Sequence, residues 1–166
     1  MFLALSYPLH AQEKDLKFEH FSIEHGISHS KVNCIFQDNR GFLWLGTNEG
    51  LNKFDGYEFA VYRWRPNDPH GLSAQLVRAV LQDSKGNLWI GTEGGGLNLF
   101  DRDSENFRHF TPDSSSEIRI TGQDVNAIIE DRQGNLWLGT SNGLDHFDLQ
   151  NKKVANYFPP FLDRAP

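Results

Sequence analysis

Val77-Arg78-Ala79-Val80-Leu81-Gln82-Asp83-Ser84-Lys85-Gly86-Asn87-Leu88-Trp89-Ile90-Gly91-Thr92 decides the fold, because the chain repeats it. An earlier copy reads Val32-Asn33-Cys34-Ile35-Phe36-Gln37-Asp38-Asn39-Arg40-Gly41-Phe42-Leu43-Trp44-Leu45-Gly46-Thr47. A later one reads Val125-Asn126-Ala127-Ile128-Ile129-Glu130-Asp131-Arg132-Gln133-Gly134-Asn135-Leu136-Trp137-Leu138-Gly139-Thr140. The second and third copies agree at nine of sixteen positions, and their tryptophans stand 45 and then 48 residues apart. A period of this length means stacked supersecondary units rather than one self-contained core.

Each copy reads as four short strands. The first spans 32–37, with Val32, Cys34 and Phe36 on one face and Ile35 on the other, which suits a strand buried on two sides. Asp38 with Gly41, Asp83 with Gly86, and Asp131 with Gly134 then turn the chain. Asp bonds the backbone two residues on and Gly supplies a positive φ, so turn chemistry accounts for these aspartates without a metal or catalytic role. In the second strand Trp44, Trp89 and Trp137 fill the space between sheets. Gly46, Gly91 and Gly139 lie two residues on, on the same face, and leave room for a close approach. Third strands follow at 51–55, 97–101 and 144–148. The fourth strands carry anchors three residues apart (Phe59 and Tyr62, Phe107 and Phe110, Val154 and Tyr157), a spacing that predicts a bulge at this edge. The Gly94–Gly96 triplet lacks the Lys-Ser/Thr and helix of a phosphate loop and reads as a lengthened hairpin.

Four-stranded sheets recurring at this period are propeller blades. The composition agrees: aromatics are 13% of 166 residues and fifteen glycines lie between short apolar runs, an all-β pattern of strands and tight turns. The net charge is −6 with no basic block, which argues against a nucleic-acid surface. Cys34 is the lone cysteine, so the chain holds no internal disulfide or CxxC metal site, and its apolar setting suits a small buried hydrophobe. Residues 1–15 begin with an apolar run broken by Pro8 and followed by Ala11. They read as a signal-peptide remnant or a disordered tail.

The pattern Asp-x-x-Gly-x-Leu-Trp-Ile/Leu-Gly-Thr, followed by Gly-Leu-x-x-Phe-Asp, at 38–55, 83–101 and 131–148, resembles the two-component regulator propeller family. That resemblance implies an extracytoplasmic, periplasmic sensory domain of a hybrid histidine kinase of Bacteroidetes. It further implies seven-bladed rings, polysaccharide-derived oligosaccharide ligands, and a kinase located outside this stretch.

The expected architecture is all-β: an outer strand and loop at 16–31, blades at 32–63, 64–110 and 111–158 (the second and third with their entry loops), and a tail at 159–166. Phe18 and Phe21 give the first segment the fourth-strand spacing, so it is expected to be a ring-closing strand without a partner here. Three blades do not close a ring. The chain is therefore expected to be part of a larger propeller, or to gain the missing blades by self-association.

Ligand-binding candidates lie in what the repeats do not share, chiefly the loops at 22–31, 63–75 and 111–124. Trp64 is the one tryptophan outside the repeat, and Arg65, Asn67 and His70 follow it. An aromatic face beside such polar groups suits a sugar; covering a blade edge is the alternative role for Trp64. Asn33, Arg78 and Asn126 share one inner-strand position that could face the channel. The seven histidines form no metal-binding motif and no nucleophile elbow is present, so neither a catalytic residue nor a cofactor is expected. Two other readings stay open: a metal-dependent lyase resembling streptogramin lyases, and a protein-interaction propeller.

Overall fold

The computed structural model describes residues 17–113 and 118–157, so the N-terminal tail and the C-terminal residues discussed above lie outside the described part. Twelve strands form three four-stranded antiparallel sheets, each a simple meander. Blade 1 is β1 (Val32–Gln37), β2 (Leu43–Thr47), β3 (Gly50–Phe54) and β4 (Phe59–Tyr62). Blade 2 is β5 (Leu76–Gln82), β6 (Leu88–Glu93), β7 (Gly96–Asp101) and β8 (Asn106–Phe110). Blade 3 is β9 (Val125–Glu130), β10 (Leu136–Thr140), β11 (Gly143–Asp148) and β12 (Lys153–Tyr157). The innermost strand of each blade packs on the inner strands of the blade before it, β5 on β1 and β2, β9 on β5 and β6.

Two apolar seams hold the blades together. The first joins the following face of blade 1, with Trp44 and Leu51, to Val77, Leu88, Ile90, Phe100 and Phe107 of blade 2. The second joins Trp89, Leu97 and Phe110 of blade 2 to Val125, Ile128, Leu136, Leu138 and Phe147 of blade 3. Trp44 is 0% exposed and Trp89 3%. The seams leave no room beside either indole. A methyl group at Gly46 would lie 2.6 Å from Val77 Cγ1, and one at Gly91 2.6 Å from the Val125 carbonyl oxygen.

The turn aspartates do more than turn the chain. Asp38 Oδ1 accepts the N–H groups of Arg40 and Phe42, both at 3.0 Å, and its Oδ2 accepts the Trp44 indole N–H at 2.9 Å. Asp83 and Asp131 repeat the arrangement, taking Trp89 at 2.8 Å and Trp137 at 3.2 Å. A buried indole N–H needs an acceptor, and the turn one strand earlier supplies it. Gly41, Gly86 and Gly134 close these turns at φ near 90°, 89° and 80°, in the left-handed region that favours glycine.

A second repeated lock joins each incoming loop to its sheet. The Ser28 N–H donates to Asn52 Oδ1 at 2.8 Å, and its hydroxyl meets Thr47 Oγ1 at 2.7 Å. Ser73 does the same with Asn98 and Thr92. Thr121 donates both its N–H and its hydroxyl to Asp145, each at 2.7 Å. Asn52, Asn98 and Asp145 are fully buried, so these bonds satisfy groups that would otherwise be stranded away from water.

Two sequence expectations are corrected, the position of the bulge and the burial of β1. The bulge lies in the first strand, not the fourth. Pairing shifts between Val32 and Cys34, between Val77 and Ala79, and between Val125 and Ala127, so Asn33, Arg78 and Asn126 are the extra residues. The fourth strands pair without interruption. Their anchors stand three apart because each strand sends one residue to each face: Phe59 sits opposite Phe54, and Tyr62 opposite Leu51. Residues 17–22, within the segment expected to be an outer strand without a partner, pair with no strand among the described residues. A short 3-10 helix, Ile23–His25, follows. Phe21 instead packs edge-on against Phe54 and Phe59, at 5.1 and 5.8 Å. β1 is also not buried on both faces, for Ile35 is 65% exposed.

Candidate functional site

In a meander, alternate connections lie at opposite ends of the sheets. The Asp-Gly turns and the β3–β4, β7–β8 and β11–β12 turns share one end. The β2–β3, β6–β7 and β10–β11 hairpins share the other end with the blade-to-blade loops. The loop-rich end carries the candidate site.

A cleft of about 540 Å³ opens there, lined among others by Trp64, Arg65, Asn67, Gly94, Gly95 and Thr111. The indole of Trp64 is 44% exposed, while its backbone forms a parallel bridge to the buried Leu72. The loop under it is fixed by its own residues. Asp68 Oδ1 accepts the N–H groups of His70 and Gly71, both at 3.0 Å, and Asn67 takes a left-handed φ of 61°. The loop is also tied to β8: the Phe107 N–H donates to the His70 carbonyl at 2.8 Å, and the His109 ring Nε2 donates to that of Gly71 at 2.7 Å. The walls are therefore set before any ligand arrives, which lowers the ordering cost of binding.

Of the residues expected from sequence, the structure gathers Trp64, Arg65 and Asn67 on this cleft. His70 lines an adjoining cleft of about 330 Å³ that shares Arg65 and Asp68 with the first. Asn33, Arg78 and Asn126 form a separate set on the innermost strands. Asn33 donates to Asn48 Oδ1 at 3.1 Å and to the Val77 carbonyl at 3.0 Å, and Arg78 is ion-paired with Glu93 through Nε at 2.9 Å. Asn126 is exposed. Gly94, Gly95, His109 and Thr111 also line the Trp64 cleft, and the lengthened Gly94–Gly96 hairpin is the sequence signal for the two glycines alone. Burial pushes the Cys34 thiol above its ordinary value, the backbone of Gly46 opposing this only in part, so it stays a packed, protonated group. Among the described residues, no cluster of three His, Cys, Asp or Glu is placed to hold a metal ion, and no helix is long and apolar enough to cross a membrane.

The model of the two component regulator propeller matches residues 26–49, 71–94 and 119–142. Each match opens just before the loop-locking Ser28, Ser73 or Thr121 and runs through the tryptophan strand. A histidine kinase, P4 of Formosa agariphila, is 49% identical over 67 residues, which is 40% of this chain and 5% of that protein. Among solved structures, the extracellular domain of BT3049 from B. thetaiotaomicron, described as a hybrid two component system, superposes with a TM-score of 0.77 at 28% identity. The match covers 89% of this chain and 21% of that one. A virginiamycin B lyase from Staphylococcus aureus superposes with a TM-score of 0.55 at 14% identity, covering 82% of this chain and 44% of the lyase, a likeness of fold alone. The chain thus spans a small part of the relatives it matches.

Proposed function

We propose, from the premise that this chain carries two-component regulator propeller repeats, that it is part of an extracytoplasmic, periplasmic sensing propeller of a hybrid two-component kinase. Its ligand is an oligosaccharide derived from a polysaccharide, bound in the Trp64 cleft. The signal passes to kinase modules outside this stretch, and the chain itself transfers no phosphate. A single observation carries the reading: the cleft of about 540 Å³ is walled by Trp64, Arg65, Asn67, Asp68 and Pro69, which the three repeats do not share, on a loop fixed to their scaffold. Its chemistry suits a sugar. The half-exposed indole covers C–H faces, while Arg65, Asn67 and the Thr111 hydroxyl offer partners to ring hydroxyls.

Calorimetric titration with a panel of neutral glucan, mannan and xylan oligosaccharides tests this. Binding by at least one series is expected, weakened about tenfold or more by Trp64→Ala at unchanged thermal stability. A panel that fails to bind, or binding indifferent to Trp64→Ala, overturns the assignment. Divalent-metal-dependent breakdown of a bound ligand would identify a lyase instead.

A further inference from the structure

Beside the Trp64 cleft, at the same end of the molecule, lies a second one of about 320 Å³. It is lined by Pro112, Asp113, Gln123, Asp124, Asn142 and their neighbours. The two are contiguous along the chain, since Thr111 lines the first and Pro112 the second. They also share a backbone ridge. The Gly94 N–H donates to Asp124 Oδ1 at 2.8 Å, and the Gly96 N–H donates to the Gln123 carbonyl at 2.7 Å. Gly94 is exposed and puts no side chain on that ridge, whereas Gly95 beside it is buried, a Cβ there lying 2.5 Å from Ser73 Oγ. A Cβ at Gly94 would meet nothing within 4 Å, so the space above it is open.

The corresponding hairpins are not bare. In blade 1, Glu49 pairs with Arg63 at 3.1 Å, from hairpin to loop. In blade 3, Asn142 donates to the Thr121 carbonyl at 2.7 Å. At those hairpins the bridging side chain belongs to the hairpin, whereas at Gly94 it belongs to the loop, through Asp124. The two clefts also differ in charge. Arg65, His109 and Asp68 line the first; Asp113 and Asp124 line the second, with no Lys, Arg or His among the described residues.

We propose that the two clefts are consecutive subsites of one groove, running over Gly94, that selects a neutral linear oligosaccharide longer than a disaccharide. The proposal rests on the oligosaccharide reading above. Both volumes fall within the span of about 300–1,000 Å³ usual for small-ligand sites. The carboxylates of the second subsite accept hydroxyl donors and disfavour an anionic residue there.

The test uses the intact chain and the di-, tetra- and hexasaccharides of whichever neutral series binds. Affinity is expected to rise at least about tenfold from the disaccharide to the hexasaccharide. The double variant Asp113→Ala, Gln123→Ala is expected to return the hexasaccharide to the disaccharide's affinity and to leave disaccharide binding unchanged. Equal affinity at all lengths, or a length gain that survives the double variant, overturns the groove while leaving the Trp64 site standing. Failure of every length to bind removes the sensor reading and this inference together.

Discussion

The following faces of blades 1 and 3 carry the same residues in different surroundings. On blade 1, Trp44, Gly46, Leu51 and Tyr62 meet blade 2, and Trp44 and Leu51 have no exposed surface. On blade 3 the equivalent Trp137, Gly139, Leu144 and Tyr157 meet no further blade among the described residues. There Trp137 is half-buried and leans on His146 and Tyr157, with ring centroids at 4.5 and 5.4 Å; Leu144 is 41% and Tyr157 53% exposed. The glycines record the same difference. A methyl group at Gly91 would strike the Val125 backbone, whereas at Gly139 it would sit 3.5 Å from Ala127 Cβ, an ordinary contact. One motif is thus a packed core in one place and a surface in the other, and the neighbouring blade makes the difference.

The sharpest way to break this comparison is to truncate the indoles. Trp89→Ala is expected to cost about 3–5 kcal/mol, and Trp137→Ala well under half of that. Urea unfolding monitored by circular dichroism measures both, and equal losses would mean that the seams do not carry the stability.

Next in size stands Asp38, which receives Arg102 Nη1 of blade 2 at 2.9 Å in addition to its own turn and indole. Burial pushes its carboxyl up, but the Trp44 indole, Arg102 and the N–H groups of Arg40 and Phe42 outweigh this and hold it below the usual carboxylate value. The side chains are 15% exposed for Arg102 and 0% for Asp38, so Asp38→Ala strands a buried guanidinium, at about 3 kcal/mol. A depressed folded value contributes stability that is complete above the unfolded pKa of about 3.9 and is lost as pH falls through the folded value. Asp38→Asn should therefore flatten the acid limb of the unfolding curve. Asp131 is also held low, first by the Asn135 N–H against burial, then by His146, the Gln133 N–H and the Trp137 indole. It lacks a cross-blade guanidinium, so Asp131→Asn should flatten that limb less.

A third, smaller contrast comes from the glycines. Gly91→Ala is expected to cost about 1–3 kcal/mol by overpacking, and Gly139→Ala to stay within about 0.5 kcal/mol. Melting temperatures of the two variants give the ratio directly. Smallest of all, Ile129→Ser on the open face should leave stability within about 0.5 kcal/mol and reduce binding of a hydrophobic dye, because Ile129 is already 62% exposed.

Much of the fold was legible because Trp44, Trp89 and Trp137 recur with their turns. What escaped depends on partners distant in sequence or altered in identity. The loop lock uses Ser28, Ser73 and Thr121 with Asn52, Asn98 and Asp145, and exchange of Ser for Thr and of Asn for Asp hides it among variable loops. The bulge was placed on the wrong strand because a three-residue spacing of anchors reads equally as a bulge or as one anchor for each face. Burial of β1 was overstated because periodicity cannot say whether a neighbouring blade is present to cover Ile35. At the site, Trp64, Arg65 and Asn67 stood out by departing from the repeat. Gly94 contributes by having no side chain, a feature that pattern reading discounts.

Among the described residues, blade 2 alone has both faces covered by neighbouring blades, and polar bonds tie its ends to both. Gln82 and Asn39 exchange two hydrogen bonds with blade 1, and Glu130 of blade 3 accepts the Ser84 N–H and hydroxyl at 2.8 and 2.6 Å. Stability in such a stack is a sum of unit terms and nearest-neighbour terms. Backbone amides should therefore exchange with solvent in a spatial order: slowest in β6 and β7, faster in the inner strands of blades 1 and 3, and fastest in the outer strands β4 and β12. The floor of the Trp64 cleft, set on the slowest of these units, would then be the last part of the molecule to open.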